Sequence, residues 1–215
     1  MKNKDAQNIM KNLQEDYNLM AESFSATRDR MWPELKFMFN YSKKNEKILD
    51  LGCGNGRFSK YLQETDYTGV DFSEKMIEEA KKRFPDKKFI VANVLNLPFE
   101  DNYFDKIYSV AMIHQIPSHK YRLEALLEIK RVLKPNGQLL ATVWNPKKKA
   151  VRTPPPHSFE REDGKDVFLK RERYYYLFKR GELSALAKEA GFKVKEEGLA
   201  EQDNRSNIYV RAEKK

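Results

Sequence analysis

The sequence predicts an α/β fold built on a doubly wound parallel sheet, from three observations. In ILDLGCGNGRF (48–58) an apolar strand runs into a turn with glycines at 52, 54 and 56. In TGVDFS (68–73) a second strand ends on an acid, Asp71. Strand and helix patterns then alternate up to residue 144 before the composition changes.

Residues 5–40 read as one or two helices, because Tyr17, Met20, Ala21 and Phe24 fall at i, i+3, i+4 and i+7 and Pro33 can open a new helix after Trp32. KILDLG (47–52) is the first strand, followed by a helix over 58–63 and the strand ending at Asp71. Ser73 caps a helix with Met76, Ile77 and Ala80 inward. KKFIVAN (87–93) and FDKIYSVAMI (104–113) are the third and fourth strands, the latter nearly continuously apolar as a central parallel strand must be. A long helix from about Ser118 through Leu133 places Leu123, Leu126, Leu127 and Leu133 inward. KPNG (134–137) is a turn in which Pro135 fixes φ and Gly137 supplies positive φ, and QLLATVW (138–144) is the fifth strand. Residues 145–166 hold four prolines and many charges and read as a loop. Leu183, Leu186, Ala187 and Ala190 form a helical stripe ended by Gly191, and FKVKEEG (192–198) and NIYVRAE (207–213) close the sheet as a hairpin.

The 215 residues fit one domain, divided as a helical cap (1–40), a core (46–144), a basic loop (145–172) and C-terminal substrate-side elements (173–215). No apolar run has the length to span a bilayer, and the polar N-terminus does not resemble a secretory signal. A single cysteine, Cys53, forms no internal disulfide, so a reducing, cytoplasmic setting is expected, and one Cys with three scattered His makes no zinc site. Of the net charge of +9, a net +6 falls between residues 145 and 180, where eleven Lys/Arg stand against five Asp/Glu. Such a stripe is either the footprint of a polyanionic partner or a solvated loop.

The glycines let backbone approach a ligand closely, and Asp71 can accept hydrogen bonds from a ribose diol, so the pair describes a nucleoside-cofactor pocket. Dinucleotide sites need G-x-G-x-x-G; here the third glycine arrives one residue early and Arg57 follows it. Asp50 before the turn would repel a pyrophosphate and suit a cation. The pattern D-x-G-x-G-x-G resembles motif I of the class I S-adenosylmethionine-dependent methyltransferases. That resemblance implies a Rossmann-like fold with a seven-stranded, mostly parallel sheet, helices on both faces and a C-terminal antiparallel hairpin. It implies S-adenosylmethionine as cofactor, held by Tyr17, Asp50, Gly52, Cys53, Gly54, Gly56, Asp71, Phe72, Ser73, Met76, Asn93, Val94 and Ala111. Cys53 is expected there as a small packed side chain rather than a nucleophile. Asn93 stands where the family has an acid toward the adenine amino group, and its amide oxygen can still accept that bond.

YNLMAESFSATR (17–28), MWP (31–33), His114, Trp144, RYYYLFKRGEL (173–183) and Asp203-Asn204 resemble one subfamily, the tRNA methyltransferases that esterify 5-carboxymethyluridine at wobble position 34. Gln115 replaces that family's second histidine, and Arg205-Ser206 replace aromatics after the late Asn. The resemblance implies the tRNA anticodon loop as partner, a small zinc-binding activator subunit in some members, and no acid–base pair, since an ionised carboxylate is already nucleophilic. Substrate-side candidates are Arg28 and Arg173 as a carboxylate clamp, and Trp32, His114, Trp144, Tyr174, Tyr175, Asn204 and Arg205 around the base, with Arg28 and His114 positioning the reacting groups. Arg28 has a plainer reading as a partner of Asp29 or Glu22, His114 as a strand-end residue, and at least one of the tyrosines 174–176 as core. A small-molecule methyltransferase and a non-catalytic RNA-binding scaffold are the competing functions.

Overall fold

The computed structural model describes residues 3–145, 166–169, 173–202 and 205–215. Five strands, β1 (Lys47–Leu51), β2 (Asp66–Asp71), β3 (Lys88–Val91), β4 (Phe104–Val110) and β5 (Leu133–Trp144), pair in parallel. After the short strands β6 (Asp166–Leu169) and β7 (Arg173–Tyr176), which form a separate two-stranded sheet, β8 (Phe192–Gln202) and β9 (Arg205–Lys214) add antiparallel to β5. The main sheet has the order β3-β2-β1-β4-β5-β9-β8. The chain winds outward from β1 in one direction, then restarts beside it with β4 and winds in the other. That reversal opens a crevice at the carboxyl ends of β1 and β4, where open α/β sheets bind ligands.

Alternation along the strands separates two cores. Leu49, Leu51, Ile107, Leu139, Ala141, Ile208 and Val210 face α3 (His119–Val132) and α4 (Glu182–Glu189). Ile48, Tyr108, Leu140 and Tyr209 face α2 (Glu74–Arg83) and the 3-10 segment Pro33–Tyr41. The long helix α1 (Asn3–Thr27) lies across the crevice. Its Gln14 amide donates to the Phe72 carbonyl (2.7 Å), and the Ser73 hydroxyl donates to Asn18 Oδ1 (2.7 Å). Ser73 also accepts from the Met76 N–H at 3.1 Å, the N-cap of α2 that its position predicts.

Several local expectations change. Residues 57–61 make a 3-10 turn rather than an α-helix, closed by i+3 bonds from Ser59 N–H to the Gly56 carbonyl and from Leu62 N–H to that of Ser59. Pro33 likewise opens 3-10 rather than α-helix. In KPNG the positive φ belongs to Asn136 (64°), not Gly137; glycine is required at 137 because a Cβ would lie 2.8 Å from the Lys134 carbonyl oxygen. This turn is absorbed into β5 as a register shift against β4. Leu127 is half exposed (48%), since α3 buries a stripe through Ala125, Leu126 and Ile129 instead. Asp166–Leu169, expected within the basic loop, pairs with β7.

Gly56 shows how tightly the turn is built. Its φ is +73°, and a Cβ would stand 2.7 Å from the Phe89 ring and 3.2 Å from Ala80 Cβ. Backbone strain and overpacking together predict that Gly56→Ala costs about 2–5 kcal/mol. Urea unfolding measures this; a loss below about 0.5 kcal/mol, the ordinary surface range, would contradict the packing role.

Candidate functional site

Asp71, the last residue of β2, organises the crevice floor. One carboxylate oxygen accepts the Gly54 N–H and the other accepts the Ser73 N–H, each at 2.9 Å. Burial pushes its pKa up to about 6, against the opposing effect of these backbone donors. Gly54, at φ +53°, would place a Cβ 3.6 Å from Phe24 at the edge of the crevice, and a Gly52 Cβ would collide with Met112. Glycines at these positions keep the backbone open to a ligand.

Two adjoining cavities share Gly52, Asp71, Phe72, Met112 and Gln115. The first is mostly apolar, walled by Met10, Leu13, Ala92, Val94 and Ile116 with Asn93 at its rim, a slot suited to a purine. The second is walled by Tyr17, Phe24, Arg28, Trp32, Arg57, Trp144, Arg173 and Tyr175. Trp144 and Tyr175 stack at 4.9 Å with 8° between their planes. Ala111 also lines it, in the left-handed region (φ 56°), its N–H donating to the Thr142 carbonyl and hydroxyl at 3.1 Å. Among the described residues, three guanidinium groups and one carboxylate, Asp71, thus face the second cavity.

Most expected residues meet here, but several stand behind the wall. Asp50 is fully buried; it accepts the Tyr67 hydroxyl at 2.7 Å, its other oxygen has no partner, and burial pushes its pKa up to about 7. It does not line either cavity, so its influence on a ligand is through space. Gly56 packs against Phe89, Ser73 caps α2 and Met76 is fully buried. Tyr174 is buried (1%) away from the cavity, while Tyr175, next along the strand, faces it. His114 packs against both rings, its centroid 5.3 Å from Trp144 and 5.5 Å from Tyr175 with planes 26° and 19° apart. Among the described residues its ring nitrogens have no partners, and burial pulls its pKa down to about 3, so it is a neutral support for the stack. The Asn93 side-chain oxygen accepts the Leu95 N–H at 3.0 Å, a local turn that holds the residue at the rim. Burial pushes the Cys53 thiol pKa up, which leaves it a small wall element. Asn204 and most of the basic stretch fall outside the described residues, as does the Arg205 side chain.

Besides apolar wall residues such as Met10, Phe24 and Met112, sequence reasoning missed two polar residues of the site. Gln115 spans both cavities and donates its amide to the Tyr17 hydroxyl at 2.8 Å, tying the end of β4 to α1. Arg57 enters the second cavity from just beyond the glycine turn. Its place beside the motif was the available signal.

The apolar slot, the buried acceptor pair on Asp71 and the open glycine backbone fit an adenosyl cofactor, with Asp71 toward its ribose. Ribose hydroxyls donate better to an ionised carboxylate. Affinity for S-adenosylhomocysteine should therefore rise as pH climbs from 5 through about 6, then level off. Asp71→Asn should remove that rise and weaken binding at pH 7.5 about tenfold. Titration calorimetry across pH checks both, and a flat wild-type profile would contradict the assignment.

Residues 49–141 match the family model described as "Methyltransferase domain". A protein of Encephalitozoon cuniculi named as a methyltransferase is 33% identical over 196 residues, 86% of this chain and 89% of that protein. A Schizosaccharomyces pombe protein named tRNA (carboxymethyluridine(34)-5-O)-methyltransferase is 29% identical, covering 92% and 94%. Among solved structures, an S-adenosylmethionine-dependent methyltransferase from Methanosarcina mazei superposes with a TM-score of 0.75 at 23% identity, covering 86% of this chain and 98% of that one. A chain from the complex between the Haloferax volcanii Trm112 methyltransferase activator and a methyltransferase gives 0.71 at 19% identity, covering 92% and 97%. Strand order, glycine cradle and relatives agree, and the chain belongs to the class I S-adenosylmethionine-dependent methyltransferases.

Proposed function

We propose that this methyltransferase esterifies the carboxymethyl group of a modified wobble uridine in the tRNA anticodon loop. The observation that carries the reading is the wall of the second cavity, where the Trp144–Tyr175 stack stands beside arginine side chains. Flat rings suit an unstacked base, and guanidinium suits a carboxylate in two-point fashion. The S. pombe relative named for this reaction aligns over nearly the whole chain. The net positive charge between residues 145 and 180 suits a polyanion.

When bound, S-adenosylmethionine supplies a methyl group activated by a sulfonium. A carboxymethyl acceptor has a pKa of about 4 and is ionised at neutral pH, so no base is required. The residues match this: His114 is neutral and enclosed, and Asp71 is committed to backbone donors. The protein's part is alignment and exclusion of water, and orientation of this kind can supply about 7–11 kcal/mol.

The reading extends to a Trm112-like activator pairing along an edge of the main sheet. β3 and β8 are its two edges. β8 carries Lys193, Lys195, Glu197 and Glu201, charges that discourage strand pairing, while β3 ends on the exposed Val91 (43%). β3 is therefore the favoured edge.

Incubation with cofactor and carboxymethyluridine-containing tRNA should yield the methyl ester, read by mass spectrometry of the nucleosides; absence of the ester, with and without an activator, would sink the proposal. Tyr175→Ala should raise KM for tRNA on the order of tenfold, as loss of one stacking partner does, with S-adenosylhomocysteine affinity within about twofold. Tyr174→Ala should instead lower stability by about 3 kcal/mol, since that ring is buried. Equal effects of the two substitutions on KM would show that the base does not stack there.

A further inference from the structure

Arg57 is 7% exposed, yet among the described residues its side chain makes no hydrogen bond and no ion pair, and its Nε is buried without a partner. Three aromatic rings enclose it: Phe58 at 4.7 Å, Trp32 at 5.4 Å and Phe24 at 5.7 Å from the guanidinium carbon. Cation–π attraction offsets part of the cost of burying the charge but provides no acceptor for its N–H groups. Burial pulls its pKa down to about 10; Asp50 opposes this, while Arg28 and Arg83 add like-charge repulsion. Asp50 already accepts from Tyr67 and lies outside the cavity. Arg57 is thus a buried cation that lines a cavity and, among the described residues, has no anion bonded to it; Asp50 acts on it only through space.

The other two arginines of that cavity differ. Arg28 is exposed, lies over Phe24 (4.4 Å) and donates to the Thr27 hydroxyl. Arg173 lies over Tyr17 and Tyr175, on the side of the stacked rings. Arg57 follows the glycine turn directly. With the purine slot in the first cavity and Asp71 toward the ribose, the remaining, amino-acid end of the cofactor must extend past the glycine turn into the second cavity.

We propose that Arg57 is the counter-ion for the α-carboxylate of the cofactor's amino-acid end, leaving Arg28 and Arg173 for the acceptor. The assignment rests on the cofactor site described above. It divides the arginines between two carboxylates, one on the cofactor and one on the acceptor, so that they do not compete for the same group.

Calorimetry with two ligands tests this. S-adenosylhomocysteine carries the α-carboxylate; 5′-methylthioadenosine has the same nucleoside and thioether but no amino-acid end. Arg57→Met keeps an apolar stem between the rings and removes the charge. It should weaken S-adenosylhomocysteine binding about 10- to 100-fold, the range of charge-assisted hydrogen bonds, and change methylthioadenosine binding less than about threefold. Arg57→Lys should fall between, because an ammonium keeps the charge without the two-point geometry, and it serves alone if the Met variant fails to show a cooperative thermal transition. Unchanged S-adenosylhomocysteine affinity, or an equal loss for both ligands, would overturn the assignment while leaving the cofactor site standing. Binding of neither ligand by the unsubstituted protein would overturn the cofactor site and the assignment together.

Discussion

The hydrogen bonds received by Asp71 tie together the parts on which the site depends. Its two carboxylate oxygens hold the glycine turn after β1 and the N-terminus of α2 in one arrangement. The cost is a buried carboxylate whose ionised form is disfavoured, which backbone donors only partly relieve. A ligand that adds hydroxyl donors relieves it further. The same group that clamps the turn is thus the one proposed to receive the ribose.

Helix α1 buries Ala6, Leu13 and Ala21 and is also held to that clamp by polar contacts. Gln14 reaches the Phe72 carbonyl, Asn18 accepts from Ser73, Tyr17 accepts from Gln115, and the Arg28 carbonyl accepts from Asn55. Each partner belongs to a loop at the carboxyl end of a central strand. The helix thus forms one wall of both cavities while remaining attached at loop ends, where a ligand can alter the attachment. Positive charge gathers on this wall and on the segment around β7, opposite the purine slot. A zwitterionic cofactor and an anionic acceptor would each meet the guanidinium groups in a different part of the crevice.

The buried interior of the sheet and the cofactor motif were legible in the sequence. β1 and β4 carry the apolar residues of buried central strands, and the G-x-G-x-G spacing followed by Asp71 marks a nucleoside pocket whose cofactor the family resemblance then names. The errors have local physical causes. Asn136 rather than Gly137 takes the positive φ because the space at 137 is closed by the Lys134 and Asp105 carbonyls. Leu127 points outward because α3 packs along a neighbouring stripe, a rotation that a leucine-rich helix does not declare. His114 and Tyr174, each read from the sequence either as a site residue or as a structural one, are buried and line neither cavity, whereas Tyr175, next along the strand, lines the second.

The sequence by itself determined the fold class, through its periodicity, and pointed to the cofactor through the resemblance of its glycine turn to a known motif, because both are carried by residues close together along the chain. Tertiary structure decided which side chains share the second cavity. Arg28, Arg57, Trp144 and Tyr175 come from four separate parts of the chain, and only the reversal of winding between β1 and β4 brings them over one crevice. It also decided that Arg57 is buried with no anion bonded to it among the described residues and that Asp50 is sealed from the cavity, because burial and pairing arise from neighbours distant in sequence.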